Sequence, residues 1–116
     1  VLHGLSGMST AFLNDVEGEL IYAQQAFAYA TPGDVLLGIS TSGNARNVCA
    51  AAVAARARGA KVIGLTGEKG GRLAGLCDVC IKAPEHETYR VQELHLPIYH
   101  ALCAALERAM FAEEQP

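Results

Sequence analysis

The stretch Asp34 to Ser40 (DVLLGIS) is apolar almost throughout, lacks the alternation of a half-exposed strand, and runs directly into Thr41-Ser42-Gly43-Asn44. A run of that length and character predicts a strand buried on both sides, which belongs in a parallel sheet covered by helices. Such short apolar runs alternate along the chain with longer helical patterns, and that alternation is the signature of an α/β fold, a three-layer αβα sandwich with a parallel sheet.

Val1 to Leu5 is a candidate first strand weakened by glycine. Glu17 to Ala30 carries apolar residues at helical spacing and stops before the breaker Thr31-Pro32-Gly33. After the Asp34 to Ser40 strand, the alanine-rich segment Ala45 to Arg58 predicts a strong helix, closed by Gly59 in the left-handed position. Strands are expected at Lys61 to Thr66 and at Val79 to Lys82, with a glycine-rich turn and a short helix over Gly67 to Leu76 between them. A final helix is expected from about Val91 to Ala112, with Pro97 in its first turns as a kink or as the mark of its true start.

The 116 residues are 51% apolar and 18% charged, enough to bury a core in a single domain over 1–116, which excludes intrinsic disorder. A formal charge of −3 offers no basic field for a nucleic-acid backbone. Charges or glycines cut every apolar stretch well short of the roughly 20 residues a membrane span needs, and nothing resembles a secretory leader. The expectation is a cytoplasmic protein without nucleic-acid or membrane partners. The chain opens at Val1 with neither initiator methionine nor helix cap, as though entering in mid-domain, so a further N-terminal portion is expected.

The cysteines, Cys49, Cys77, Cys80 and Cys103, fall inside hydrophobic runs, and reduced thiols are their simplest reading. Cys77 and Cys80 form one C-x-x-C, the pattern of redox or zinc chemistry, but no second pair accompanies it.

The segment Ser40-Thr41-Ser42-Gly43-Asn44 places three hydroxyls and a glycine between a buried strand's carboxyl end and a helix's amino end. Ligands of open α/β sheets sit at that rim, where helix amides and the helix dipole favour an anion. The hydroxyls can donate to phosphate oxygens, while Gly43 admits close backbone approach. The competing reading is that Ser42 or Asn44 only caps the helix. No Walker loop is present, so no nucleotide cofactor is expected.

Taken together, GDVLLGISTSGNARNV, KVIGLTGEKGGRLAGLCDVCIKAP and YRVQELHLPIYH resemble the sugar isomerase (SIS) domain, specifically the phosphoheptose isomerase family, over most of the chain. The resemblance implies a flavodoxin-like SIS domain incomplete at its N-terminus, a homotetramer with active sites at subunit interfaces, and a sugar-phosphate substrate. The activity it implies is aldose–ketose isomerisation of sedoheptulose 7-phosphate through an enediol.

Carried over by position, Ser40, Thr41, Ser42, Gly43 and Asn44 correspond to the family's phosphate loop, although Ala45 stands where many members have another serine. Asp15 corresponds to an aspartate near the sugar, and its alternative role is to cap the helix that follows. Gln92 corresponds to the substrate- or metal-contacting glutamine and His100 to the catalytic histidine. Their spacing of eight positions lets both lean toward one region. A histidine both gives and takes a proton near neutral pH. His95 is left as a structural or supporting residue, and Glu93 as either a neighbouring hydrogen-bonding group or a solvated one.

Two departures stand out. Tyr89 occupies a position that is commonly small or acidic in the family. The family's general-base glutamate, with a neighbouring histidine, lies on an earlier helix that this sequence does not match; Glu17 and Glu19 are assigned to a helix surface. If zinc takes part, Gln92 and His100 are the ligands this sequence supplies. The alternatives are a non-catalytic sugar-phosphate-binding scaffold of the replication-initiator-associating type, and an isomerase of a shorter sugar phosphate.

Overall fold

The computed structural model describes Leu2 and residues 18–112. The candidate strand at Val1 to Leu5, apart from Leu2, and Asp15 lie outside the described residues.

A 3-10 turn at Gly18–Leu20 leads into helix α1 (Ile21–Tyr29), so the helix expected from Glu17 begins with a tighter turn. Asp34 closes the Thr31-Pro32-Gly33 corner: its Oδ2 accepts the Thr31 amide at 2.9 Å and the Thr31 hydroxyl at 3.1 Å. Strand β1 (Val35–Ile39) follows, then α2 (Arg46–Ala57), β2 (Lys61–Thr66), the short α3 (Gly71–Ala74), β3 (Val79–Lys82) and the long α4 (Thr88–Phe111). Helix α2 ends as its sequence predicts. Gly59 takes φ +86°, with its amide on the Arg56 carbonyl and the Ala60 amide on the Ala55 carbonyl, the paired bonds of a Schellman ending.

The three strands are parallel in the order β1-β2-β3, with Val35 opposite Lys61 and Ile63 opposite Val79. This is the expected α/β architecture with a parallel sheet. Its core is built from small residues: Ala26 of α1 and Cys49, Ala51, Ala52 and Ala55 of α2 pack with Val62 of β2 and Leu73 of α3. Alanines on the facing sides let two helices and the sheet approach closely, and each fully buried Val or Leu adds roughly 1.5–3 kcal/mol.

The expectation that β1 is buried on both sides is corrected. Val35, Leu37 and Ile39 are exposed, while Leu36 and Gly38 turn toward α2. Successive side chains point to opposite faces, and among the described residues only one face of β1 meets a helix layer. The last helix begins earlier than expected, at Thr88, so Pro97 lies well inside it rather than at its start. Only Val91 and His95 of α4 are buried, and its distal half carries Leu106, Met110 and Phe111 exposed. No described helix is long and apolar enough to cross a membrane.

Candidate functional site

Parallel strands end on one rim, so the segments that leave β1, β2 and β3 gather there. Ser40 extends the ladder by one bond, its amide donating to the Leu65 carbonyl at 3.0 Å. Its buried Oγ accepts the Gly43 amide at 3.1 Å and the Ala45 amide at 3.4 Å. A serine oxygen used twice as acceptor still has its own hydrogen to donate. Ser40 thus shapes the loop from within, while Thr41 is half-buried and Ser42 and Asn44 are exposed.

The capping alternative is corrected by the structure. The residue at the N-cap of α2 is Ala45, with no side-chain cap. Ser42 Oγ instead accepts the Asn44 amide at 3.1 Å inside the loop, and Asn44 Oδ1 accepts the Arg72 amide at 2.9 Å across to α3. Among the described residues, the amides of Ser42, Arg46 and Asn47 have no acceptor. They are free donors at the start of a 12-residue helix, where the dipole adds its positive end.

The loop rests on a second turn that motif reading passed over. Gly43 has φ +72°, and a Cβ there would collide with the Gly70 carbonyl; a Cβ on Gly71 would lie 2.5 Å from the Ser42 carbonyl. The Gly43 carbonyl accepts the Leu73 amide at 2.8 Å. Backbone therefore packs on backbone between residues 42–43 and 70–71. The sequence signal was Gly70-Gly71 within GEKGGR, legible as a turn but silent about its partner.

Gln92 and His100 are both exposed on α4, and among the described residues no hydrogen bond joins either of them to the loop. The His100 ring meets Tyr99 edge to face at 5.3 Å between centroids. His95 is the packed histidine of the pair, only 2% exposed, with Nε2 2.8 Å from the Thr66 carbonyl. At about 100° per residue His100 sits about 140° around the helix from His95, so it points away from the sheet that His95 faces. Asp15 cannot be placed, since it lies outside the described residues.

Elsewhere on the rim, His86 Nδ1 lies 3.7 Å from Glu68 and Arg90 lies 3.9 Å from Glu85. Tyr89 is exposed, and its hydroxyl accepts the Arg90 Nε hydrogen at 3.0 Å. Among the described residues no three His, Cys, Asp or Glu side chains gather as metal ligands.

Of the C-x-x-C, Cys77 sits at the entry to β3, away from this rim, whereas Cys80 lies within β3 with its Sγ 3.6 Å from Thr66 Oγ1. Burial, and then the proximity of Cys80, Asp78 and Cys49, push the Cys77 thiol up to about 11. Its Sγ donates to the Leu73 carbonyl at 3.0 Å. A thiol so held is protonated at neutral pH and is a poor nucleophile or metal ligand.

The model of the family described as "SIS domain" matches residues 9–112. The chain is 46% identical to the phosphoheptose isomerase of Rhodospirillum rubrum over 101 residues, 87% of this chain and 54% of that one. It is 47% identical to the phosphoheptose isomerase of a Nitratiruptor species over 100 residues, 86% and 54% of the two chains. The chain thus spans about half the length of these relatives. Among solved structures, the phosphoheptose isomerase of Neisseria gonorrhoeae superposes with a TM-score of 0.85 at 40% identity, covering 90% of this chain and 59% of that one. The phosphoheptose isomerase of Francisella tularensis gives 0.87 at 34% identity, covering 92% and 60%. The parallel sheet, the loop at its rim and these likenesses agree, and the chain belongs to the SIS domain family.

Proposed function

We propose that the full-length protein is a phosphoheptose isomerase, interconverting sedoheptulose 7-phosphate and D-glycero-D-manno-heptose 7-phosphate. The observation that carries this reading is the loop at the end of β1. It offers amides of Ser42, Arg46 and Asn47 that have no acceptor among the described residues, together with the hydroxyls of Ser40, Thr41 and Ser42, a set of donors suited to a phosphate dianion. The likeness to named phosphoheptose isomerases supports a heptose phosphate as the sugar.

Holding the phosphate at one end of an open-chain ketose positions the reacting carbons at the other, so remote binding energy orients the chemistry. A base removes a proton from C1 while the C2 carbonyl oxygen takes one up, giving the enediol; C2 then gains a proton as the C1 hydroxyl loses its own and C1 becomes the aldehyde. No atoms or electrons are exchanged with a co-reactant. His100 supplies the acid or opens the ring, and Gln92 orients a substrate hydroxyl. The base is expected from a segment N-terminal to the described residues.

Gln92 and His100 would give zinc two donors, and among the described residues no cluster completes a metal site.

His100 faces away from its own chain's sheet, which supports an active site completed between copies in a homotetramer. The exposed Leu96, Leu106, Met110 and Phe111 on α4 supply apolar surface for such contacts. Free thiols at Cys49, Cys77, Cys80 and Cys103 suit the cytoplasm.

Incubating the full-length protein with sedoheptulose 7-phosphate should yield the aldose heptose phosphate. Equal or faster turnover of six- or five-carbon ketose phosphates would reassign the substrate. Phosphate-sugar binding without turnover would favour the scaffold reading. Light scattering should show a tetramer, and a monomer at working concentration would remove the shared site.

A further inference from the structure

Thr66 and Gly67, where β2 leaves the sheet, form a junction that every part of the rim touches. The Thr66 carbonyl accepts two hydrogen bonds, from the Ala83 amide at 2.9 Å and from His95 Nε2 at 2.8 Å. The next residue, Gly67, donates its amide to the Thr41 carbonyl at 2.9 Å. A Cβ on Gly67 would lie 2.8 Å from the Thr41 carbonyl, 3.0 Å from the Glu85 carbonyl and 3.2 Å from Val91 Cγ2. The phosphate loop, the segment after β3 and the start of α4 are thereby tied to one peptide unit.

Because a carbonyl only accepts, the nitrogen that faces it must carry the hydrogen, so His95 holds the Nε2–H form. Its other nitrogen, Nδ1, is buried and has no hydrogen-bond partner among the described residues. A side chain chosen only to fill space would not leave a ring nitrogen stranded in the interior, where an unmet polar group is costly. An apolar residue would fill that position without such a cost. The ring is retained for the reach and direction of its Nε2–H.

We infer that His95 is a positioning residue of the isomerase site: by bonding the Thr66 carbonyl it sets the height and rotation of α4, and so the placement of Gln92 and His100, relative to the loop formed by Ser40 to Asn44. Nothing about His95 touches substrate. Gln92 is three residues before it and His100 five residues after it on the same helix, so a slip or rotation of α4 displaces both. The inference rests on the isomerase reading above.

The test uses the full-length protein and sedoheptulose 7-phosphate, comparing His95→Leu with His95→Gln, whose side-chain amide can return a donor to the Thr66 carbonyl. His95→Leu should lower kcat roughly tenfold or more, since misplacement of this kind is costly to rate, while KM changes less than about threefold because the phosphate loop is untouched. His95→Gln should recover most of the lost kcat. In a double-mutant comparison, His95→Leu should cost much less once His100 is already alanine. Equal kcat in wild type and His95→Leu, or equal losses in the Leu and Gln variants, would overturn the inference, as would a His95→Leu effect confined to thermal stability. A wild-type protein inactive on the sugar phosphate would instead overturn the isomerase reading.

Discussion

The side-chain oxygen of Asn44 accepts the backbone amide of Arg72 at 2.9 Å, so the last polar residue of the loop after β1 holds the start of α3 rather than the helix that follows it. That single bond, with the Gly43 carbonyl on the Leu73 amide at 2.8 Å, locks two loops into one surface. Asn44→Ala should therefore loosen the loop without unfolding the protein. We expect a loss of about 1 kcal/mol in unfolding free energy, by urea titration, and a KM for the sugar phosphate raised roughly fivefold. An unchanged KM would show that the loop keeps its shape without this bond.

Gly43→Ala should be far more damaging. Its φ of +72° is already unfavourable for alanine, and the new methyl would meet the Gly70 carbonyl. A loss of at least about 3 kcal/mol, with a matching fall in thermal midpoint, is expected. A near-neutral Gly43→Ala would mean that the two turns can separate.

Thiol labelling separates the cysteines. Cys103 is exposed, whereas Cys77 is half-buried, with its thiol pushed up to about 11 chiefly by burial. At pH 7.5 an alkylating reagent should modify Cys103 well before Cys77, as followed by intact mass and peptide mapping. Faster modification of Cys77 would revive the redox reading of the C-x-x-C.

Asp78 anchors the start of β2 by accepting the Val62 amide at 2.8 Å. That bond, assisted by Arg56 and Lys61, holds its carboxyl below the ordinary value of 3.8. A depressed folded value means that the unfolded chain takes up the proton first. The contribution to stability is therefore present above about pH 4 and is lost as pH falls through the lower folded value. Asp78→Asn should unfold more readily than wild type at pH 7, and the two denaturation midpoints should converge below pH 4. A gap that stays constant with pH would remove the charge from the explanation.

Much of the fold was legible locally. The strands at Lys61 to Thr66 and Val79 to Lys82 and the Gly59 helix ending follow from short-range chemistry: apolar runs of strand length, alanine's helix preference and glycine's access to positive φ. The start of α4 was not, because no side chain caps it and Pro97, a residue suited to a helix's first turn, stands well inside it. Among the described residues only one face of β1 is covered; apolar content records what a strand can bury, not which neighbours arrive to cover it.

The same division runs through the site. The order of residues alone determined that hydroxyls and a glycine join a strand to a helix, because the strand and helix signals on either side leave that segment no other place. It also set Gln92, His95 and His100 on one helix. Only the tertiary structure decided that Ser40 and Asn44 serve backbone amides across turns, that His95 rather than His100 turns inward, and that Thr66 gathers the rim. Those outcomes depend on contacts between segments far apart in the chain, and no local pattern encodes which carbonyl a folded neighbour will bring within reach.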